Sequence, residues 1–561
     1  MGVIAYFYGF PQTPQSAFLC NIVIHCSLIF YVLKYFLNAF FSVHSKKYIF
    51  KHKYQGIMIF LIVLWFVFSY GFNFQHKLFN AIDIKNIGSM TMLVIQLYFF
   101  VMMLFDFSSI GQLFSKLKFG PGGWMISSFI FLISLGTVLL LLPEMTTGGI
   151  SFIDALFTAT SASCVTGLLT LNVATAFTFK GYIVILLLIQ FGGINIVAFA
   201  TFLSSFYVEK KLRYQSVMKE MLSTSLHGTK SLIREILIYT FAIELIGTLA
   251  FFLYWNHYHF YSDSLFENMF LSVFHAISSF NNAGISFIEG GMTAALFRWD
   301  HYVQIITTIL IFMGGIGFLT IHNMLFSVRY NPNKLKYWSR LQVMSRLTLK
   351  VTLFLIVSGT LLFLIFESNN SLQGTSIGDR FCTALLNTVS CRTAGFSTVD
   401  TGSLNLSTLL IFIFLMFVGA APSSTGGGIK ITTFYILIKS ALATIKGKKE
   451  VSVCNRAIPF NLVDRAYAVV LFTFAFIFTG ILILSISDPQ FDFINITFEV
   501  FSAIGTVGLS MGITPSLSII GKSTLIILMF IGRITIFTLA ISVARRAMFT
   551  NYSLARTNLN I

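Results

Sequence analysis

Apolar residues fall along this chain in long unbroken runs, with polar positions confined to the gaps between them. The runs lie near residues 16–42, 55–72, 87–107, 125–143, 181–207, 232–256, 301–327, 347–367, 404–440, 465–486 and 519–544. A helix needs roughly 20 apolar residues to cross a bilayer, so each run is read as a span. The last eight form four pairs. Within each pair lies a shorter apolar segment, about 151–167, 264–284, 376–395 and 492–508. These segments are too short to cross twice. Each predicts a re-entrant helix that descends partway and returns as extended chain, which is tolerated at membrane depth only where it is buried in protein or lines water.

The predicted fold is therefore an all-α polytopic membrane protein. Four span–pore loop–span repeats stand with pseudo-fourfold symmetry around one pore, after additional N-terminal helices. The divisions are 1–120 for the N-terminal helices, 121–230 for repeat 1 (pore loop near 151–168) and 231–345 for repeat 2 (pore loop near 264–286). Repeat 3 takes 346–460 (pore loop near 376–397, intramembrane gating loop 419–430) and repeat 4 takes 461–561 (pore loop near 492–510). Residues 1–120 are read as three crossings, which puts the N-terminus outside. The starts of the short helices carry Ser151…Asp154, Ser264…Glu267 and Ser376…Asp379, which resemble capping boxes. In the fourth unit Asp492 is the expected cap. Four short helices entering from outside point their partially negative C-terminal ends at the protein's middle, which favours a cation there.

Composition agrees with this pattern. The 561 residues are 56% hydrophobic and only 10% charged, with mean hydropathy +0.83. A soluble protein of this length carries far more surface charge. No cleavable signal peptide is evident, because the start lacks a basic region and a small-residue cleavage site. The formal charge is +17, and its distribution matters more than its size. With loops assigned alternately, 26 of the 37 Lys and Arg fall on one side, in 43–54, 108–123, 208–230, 328–350, 439–465 and 544–561. The opposite side holds 6, including those of the glycine-bearing segments. That asymmetry places the basic loops in the cytoplasm and makes nucleic-acid binding an unnecessary explanation. The six cysteines have neither CxxC nor metal-ligand spacing, so neither a disulfide framework nor a zinc site is read.

A short glycine pattern closes each re-entrant segment. It reads Val165-Thr166-Gly167, then Asn281-Asn282-Ala283-Gly284, then Arg392-Thr393-Ala394-Gly395, then Gly505-Thr506-Val507-Gly508. The last glycines are 117, 111 and 113 residues apart. Four such loops can converge on one axis and offer rings of carbonyl oxygens to a cation. Glycine suits this, since it reaches unusual dihedrals and keeps side chains out of the lumen. One such glycine alone reads more readily as a helix-packing residue. Four in register, each between two spans, read as a filter. A second feature breaks the long run 404–440, where residues 419–428 read Gly-Ala-Ala-Pro-Ser-Ser-Thr-Gly-Gly-Gly. Glycine and proline interrupt the helix ladder, and the freed backbone must face water or protein. The functional reading is a mobile loop beneath the filter, and the plain reading is a kink.

With these motifs in order, the chain resembles the Trk/Ktr/HKT superfamily of potassium transporters over about 125–548. The strings that carry the resemblance are Thr158–Leu168, His275–Gly284, Arg392–Phe396 and Thr506–Gly512, with Ser424–Lys430 and the pair Gly532-Arg533. The extra N-terminal helices make the pattern more similar to the bacterial Trk-type membrane subunit than to the shorter Ktr type. The resemblance implies K+ uptake, with all four glycines present where sodium-preferring members replace the first with serine. It implies K+ bound and transported at the four filter segments, with Rb+ and Na+ as further candidates, and no organic cofactor in this chain. It also implies a homodimer in the bacterial cytoplasmic (inner) membrane, with a separate cytoplasmic nucleotide-binding ring, since no nucleotide fingerprint occurs here. The gate residues it implies are Gly426, Gly427, Gly428, Lys430 and Arg533.

Arg533 lies in mid-span, where a cation is a functional candidate by default. It reads as a barrier or latch beneath the filter, or as a structural partner of an acid or of helix-end carbonyls. Lys430 can touch the same loop or snorkel toward the cytoplasm. Asp154, Glu267 and Asp379 read as caps, Glu499 as a brace for the fourth pore helix, and His275 as a packed, hydrogen-bonded histidine. Arg392 reads as support from behind the filter, because an arginine in the lumen repels cations. The rival functions are a sodium or weakly selective cation pathway of the same fold, an H+- or Na+-coupled K+ symporter, an alternating-access transporter for an organic solute, and a membrane enzyme. Repeats of one orientation count against alternating access by inverted repeats. No nucleophile–base set or metal-ligand spacing within a span supports an enzyme.

Overall fold

In the computed structural model, residues 2–42, 56–57, 59–60, 121–194, 229–258, 264–330, 338, 341–448, 450–453 and 456–534 are described. The predicted spans 55–72 and 87–107 lie outside them, apart from Gly56, Ile57, Ile59 and Phe60, as do 195–207 and 535–544. The chain opens with α1 (Gly2–Gly9) and α2 (Pro14–Phe41). Repeat 1 consists of α3 (Pro121–Leu140), the short α4 (Phe152–Cys164) and α5 (Phe179–Ile194). Repeat 2 has α6 (Thr229–His257), α7 (Leu265–Phe280) and a second span in two pieces, α8 (His301–Gly315) and α9 (Phe318–Tyr330). Repeat 3 has α10 (Val343–Glu367), α11 (Ile377–Ser390), α12 (Leu406–Phe417) and α13 (Ile431–Ile445). Repeat 4 has α14 (Phe460–Ser487), α15 (Phe493–Gly505) and α16 (Ile519–Ile534). A two-stranded hairpin, β1 (Ser452–Val453) and β2 (Arg456–Ala457), joins repeats 3 and 4. The helices are apolar on their outer faces as well as within. Leu253, Phe354, Leu471 and Phe478 are all largely exposed, as lipid-facing residues are in a membrane protein.

The four short helices α4, α7, α11 and α15 are the most buried elements. α4 is buried from Phe157 to Cys164 without interruption. Each sits between the two spans of its own repeat and also touches a neighbouring repeat. α5 meets α7, α8 meets α11, α12 meets α15, and α16 returns to α4. The repeats therefore close into a ring in chain order.

Caps fix the outer ends of these helices unevenly. Ser376 and Asp379 form the reciprocal capping box that the spacing predicts. Ser151 accepts from the Asp154 amide, and its hydroxyl donates to the Asp154 carboxylate at 2.7 Å. Two expectations fail. Ser264 stands at the N-cap of α7 without a capping bond, and Asp492 occupies the N-cap of α15 with extended backbone but no side-chain cap. Glu267 is exposed in the first turn of α7, so the helix dipole alone accounts for an acid there. A third correction concerns the run 301–327. It is not one continuous helix: α8 and α9 meet at a 96° bend. Gly314-Gly315-Ile316-Gly317 breaks the ladder, with Gly317 at φ +85°. The freed backbone groups are taken up by the loop of repeat 3, as described below.

Candidate functional site

The inner ends of the short helices are made by strained backbone. Val165, Asn282 and Thr506 are left-handed, at φ +56°, +61° and +49°. For β-branched Val165 and Thr506 this is a true outlier, of the sort that persists only where the surroundings impose it. The glycine that closes each loop also has positive φ: Gly167 +94°, Gly284 +65°, Gly395 +78° and Gly508 +92°. A Cβ added to any of them collides with the next repeat. At Gly167 it would stand 2.5 Å from the carbonyl oxygen of Ala283, and at Gly395 2.5 Å from that of Val507. At Gly284 it meets the Ala394 carbonyl and at Gly508 the Thr166 carbonyl. The four loops thus form a closed ring in the order 1-2-3-4, glycine against carbonyl at each junction.

Three of the loops share one support. The backbone amides of Thr166, Ala283 and Val507 donate to the carbonyls of Ser161, Ser278 and Ser502 at 2.8, 2.8 and 2.9 Å. The hydroxyls of the same serines then hold the next part of the loop. Ser161 accepts from Gly167 at 3.0 Å, Ser278 from Ile285 at 3.1 Å, and Ser502 from Gly508 at 3.1 Å. Repeat 3 has Val389 at that position and no left-handed residue at Thr393. Its turn hangs instead on the Ser390 carbonyl, which accepts from Thr393, Ala394 and Gly395. Farther out, Asn387 ties the returning chain through Ser397 and Thr398 at 2.8 and 2.9 Å.

Buried polar groups hold the loops from behind. Glu244 on α6, 4% exposed, accepts from Gln190 of repeat 1 and from Asn281 of repeat 2, both at 2.9 Å. The Asn282 amide and the Thr393 hydroxyl are bonded at 2.9 Å across repeats 2 and 3. Glu499 is fully buried and accepts from the hydroxyls of Ser510 and Thr514, fastening the returning chain to α15. His275 is packed among Phe251, Trp255, Phe297 and Phe396, with its Nε2 3.0 Å from the Thr307 hydroxyl. Neither Glu244 nor the three serines were singled out from sequence. The serines had a detectable signal, a serine six residues before the glycine in three repeats of four. The acid had none, because its partners lie 54 and 37 residues away along the chain.

On one side of the ring, a cavity of about 250 Å³ is lined by Gly284, Gly395 and Gly508 together. Among the described residues that line it, Asp400 is the single ionisable one. Two ion pairs join repeats near the outer surface: Lys522 with Asp154 at 2.9 Å, between repeats 4 and 1, and His301 with Asp379 at 2.6 Å, between repeats 2 and 3. The Ser376 hydrogen bond, aided by His301 against a smaller opposing effect of burial, holds Asp379 below the usual carboxylate range.

On the opposite side, residues 418–430 between α12 and α13 cross directly behind the ring. Repeats 2, 3 and 4 bond this loop directly, and repeat 1 is joined to it through Arg533. Arg392 donates to the Gly419 carbonyl at 3.2 Å, so its guanidinium faces the loop. Ala421 and Thr425 donate to the Gly315 and Gly314 carbonyls at 3.0 and 3.3 Å, and Phe318 donates to the Ser423 carbonyl at 2.9 Å. These bonds satisfy the break between α8 and α9. Gly427 donates to the Thr506 hydroxyl at 3.0 Å, directly against the glycine segment of repeat 4. Arg533, 8% exposed, donates to the Thr425 carbonyl and to the Gly192 and Gly193 carbonyls of repeat 1. It is therefore a bridge from the 418–430 loop to α5, and Lys430 folds back onto the Gly426 carbonyl at 2.7 Å. Gly426 and Gly427 are packed so closely that a Cβ on either meets the side chain of Thr393 or Thr506.

Four re-entrant loops closed into a ring within a bundle of apolar helices define a membrane protein of the pore-loop transporter class. Residues 124–552 match the TrkH family model, described as a cation transport protein. The chain is 36% identical over 432 residues to Ktr system potassium uptake protein B of Bacillus subtilis, covering 76% of this chain and 94% of that one. It is 34% identical to the potassium/sodium uptake protein NtpJ of Enterococcus hirae, covering 77% and 94%. Among solved structures, the potassium transporter TrkH from Vibrio parahaemolyticus superposes with TM-score 0.61 at 20% identity, covering 75% of this chain and 83% of that one. The chain belongs to the TrkH family. The N-terminal helices lie before the matched residues.

Proposed function

We propose that the protein takes up K+ through one pore per chain, with the four glycine segments as a selectivity filter built from backbone carbonyls. The observation that carries this reading is the closed ring in which each filter glycine abuts the next repeat's carbonyl. Rings of carbonyls replace the hydration shell of a cation without charged side chains. The α4, α7, α11 and α15 dipoles add a partial negative charge at the same depth. Loop 418–430, held by Arg533, Lys430, Arg392 and Thr506, is the gate, because its backbone lies behind the ring and must shift for an ion to leave inward. The names of the relatives, potassium uptake protein B and potassium/sodium uptake protein, support a monovalent cation as substrate. The family implies a homodimer and a separate nucleotide-binding ring, and the Lys and Arg distribution puts that ring's docking side on the cytoplasmic face of the inner membrane.

The second reading, a pathway for Na+ or for both ions, is favoured by the potassium/sodium name of one relative. Uptake of radiolabelled Rb+ into liposomes of the purified protein separates the two. Competition by excess K+ but not by Na+ is the expected result. Equal competition by Na+ keeps the pore and removes the K+ assignment. If uptake is absent both without and with the regulatory ring added, the pore reading fails.

A further inference from the structure

Two places before each closing glycine stand Val165, Asn282, Thr393 and Thr506. The side chain there is apolar in repeat 1 and polar in the other three. Each polar one stands against the 418–430 loop or against backbone that holds the loop. The Thr506 hydroxyl accepts from the Gly427 amide at 3.0 Å. Gly426 lies on Thr393, where an added Cβ would stand 2.8 Å from the threonine side chain. Thr393 is bonded in turn to Asn282 at 2.9 Å. Asn282 borders the break between α8 and α9, since a Cβ on Gly314 would come within 3.0 Å of its side-chain amide. The Gly314 carbonyl accepts from the Thr425 amide at 3.3 Å. The Thr425 hydroxyl donates to the Phe280 carbonyl at the end of α7, also at 3.3 Å. Thr425, Gly426 and Gly427 thus rest in order on repeats 2, 3 and 4.

These contacts act in both directions. Asn282 and Thr506 hold left-handed backbone, at φ +61° and +49°, and such backbone persists only where its surroundings impose it. The loop is part of those surroundings. Conversely, the buried Gly427 amide needs an acceptor, because a buried donor left without one is costly. Val165 is left-handed too, at φ +56°, but its side chain has no group to offer the loop. Whatever fixes the glycine segments of repeats 2, 3 and 4 therefore also fixes the loop.

We propose that Thr506, with the Asn282–Thr393 pair, is a positioning element that couples cation occupancy of the glycine ring to the seating of the loop at Thr425–Gly427. This rests on the reading of the ring as a cation filter. A cation in the ring fixes the glycine segments in the geometry in which Thr506 accepts from Gly427. An occupied ring then holds the loop more firmly than an empty one, and by reciprocity a seated loop raises the ring's affinity by the same factor.

The test is hydrogen–deuterium exchange of the purified full chain, read by mass spectrometry over residues 418–430, in KCl and in choline chloride at equal ionic strength. The melting temperature in the same two salts reports cation binding by itself. In wild type, K+ is expected to raise the melting temperature and to slow exchange in the loop at least about fivefold. Thr506→Val keeps the branched shape and removes the acceptor. Its K+ effect on exchange should fall below about twofold, while the K+ shift in melting temperature persists. Thr506→Ser restores the hydroxyl and should regain the effect, whereas a side chain that only filled space would follow size instead. If Thr506→Val does not fold, Thr393→Val cuts the link to Asn282 and decides the matter by the same criterion. A K+ shift in melting temperature with no K+ effect on loop exchange would overturn the coupling and leave the filter standing. So would an effect that survives Thr506→Val in full, or one that Thr506→Ser fails to regain. Absence of any K+ shift in melting temperature would overturn the filter reading, and the coupling with it.

Discussion

The third glycine loop and the other three reach the same ring by different means. Loops 1, 2 and 4 are self-supporting, each held by a left-handed residue and a serine of its own short helix. Loop 3 has Val389 in place of the serine and a right-handed turn in place of the strained residue. Its extra support comes from outside the short helix, through the Arg392 guanidinium on Gly419 and through the Asn282–Thr393 bond. The loop that lacks its own brace is the one whose repeat carries the intramembrane segment. Three quarters of the ring is thus fixed within its own repeats, and one quarter is fastened to the 418–430 loop.

Breaking the fastening should have the largest effect. Arg533→Ala removes the bridge between Thr425 and the Gly192–Gly193 carbonyls, so Rb+ flux in the absence of any cytoplasmic partner should rise about tenfold or more, consistent with loss of interactions worth at least ~1.4 kcal/mol. Unchanged flux in liposomes would show that the loop is not held by Arg533. Next comes the brace of a self-supporting loop. Ser502→Ala leaves the Gly508 amide without its partner, at a cost of about 1–3 kcal/mol, and should lower both the melting temperature and the discrimination of Rb+ over Na+. The same change in reverse, Val389→Ser, should alter neither by a measurable amount, because Gly395 already has the Ser390 carbonyl. If Val389→Ser sharpens selectivity, the third loop is less well held than its hydrogen bonds suggest.

Two smaller effects probe the outer side. Asp400→Asn keeps an acceptor for the Gly402 amide but removes the single charge lining the outer cavity. The concentration for half-maximal Rb+ uptake should rise about threefold at low salt and converge with wild type at high salt, as focused fields are screened. The Asp379–His301 pair should give the weakest signal. The carboxyl is held below its ordinary value, so its stabilising contribution is present above about pH 4 and is lost as pH falls through the lower folded value. Thermal unfolding of Asp379→Asn should therefore differ from wild type at neutral pH and converge with it in strong acid.

Much of this architecture was legible in the residues. Unbroken apolar runs marked the spans, and Gly167, Gly284, Gly395 and Gly508 marked the inner turns, since only glycine reaches those dihedrals with a neighbour's backbone so near. The break at 419–428 was equally plain. The break between α8 and α9 was not read, although Gly314, Gly315 and Gly317 announce it, because a long hydropathy average passes over three glycines. Caps at Ser264 and Asp492 failed for another reason: spacing names a cap, but the local backbone decides whether the side chain can reach. The cluster of Gln190, Glu244 and Asn281 had no local pattern at all, since three different helices bring it together.

The loop at 418–430 is bonded to repeats 2, 3 and 4, is joined to repeat 1 through Arg533, and has no counterpart in the other described repeats. A homotetramer of single units would carry such a segment four times over. Cyclic symmetry would therefore exclude a single off-axis loop of this kind. Joining four units in one polypeptide removes that constraint: each quarter is free to diverge, and only one need carry such a loop. The price of this freedom is that a lesion in repeat 3 has no intact sister copy to compensate for it.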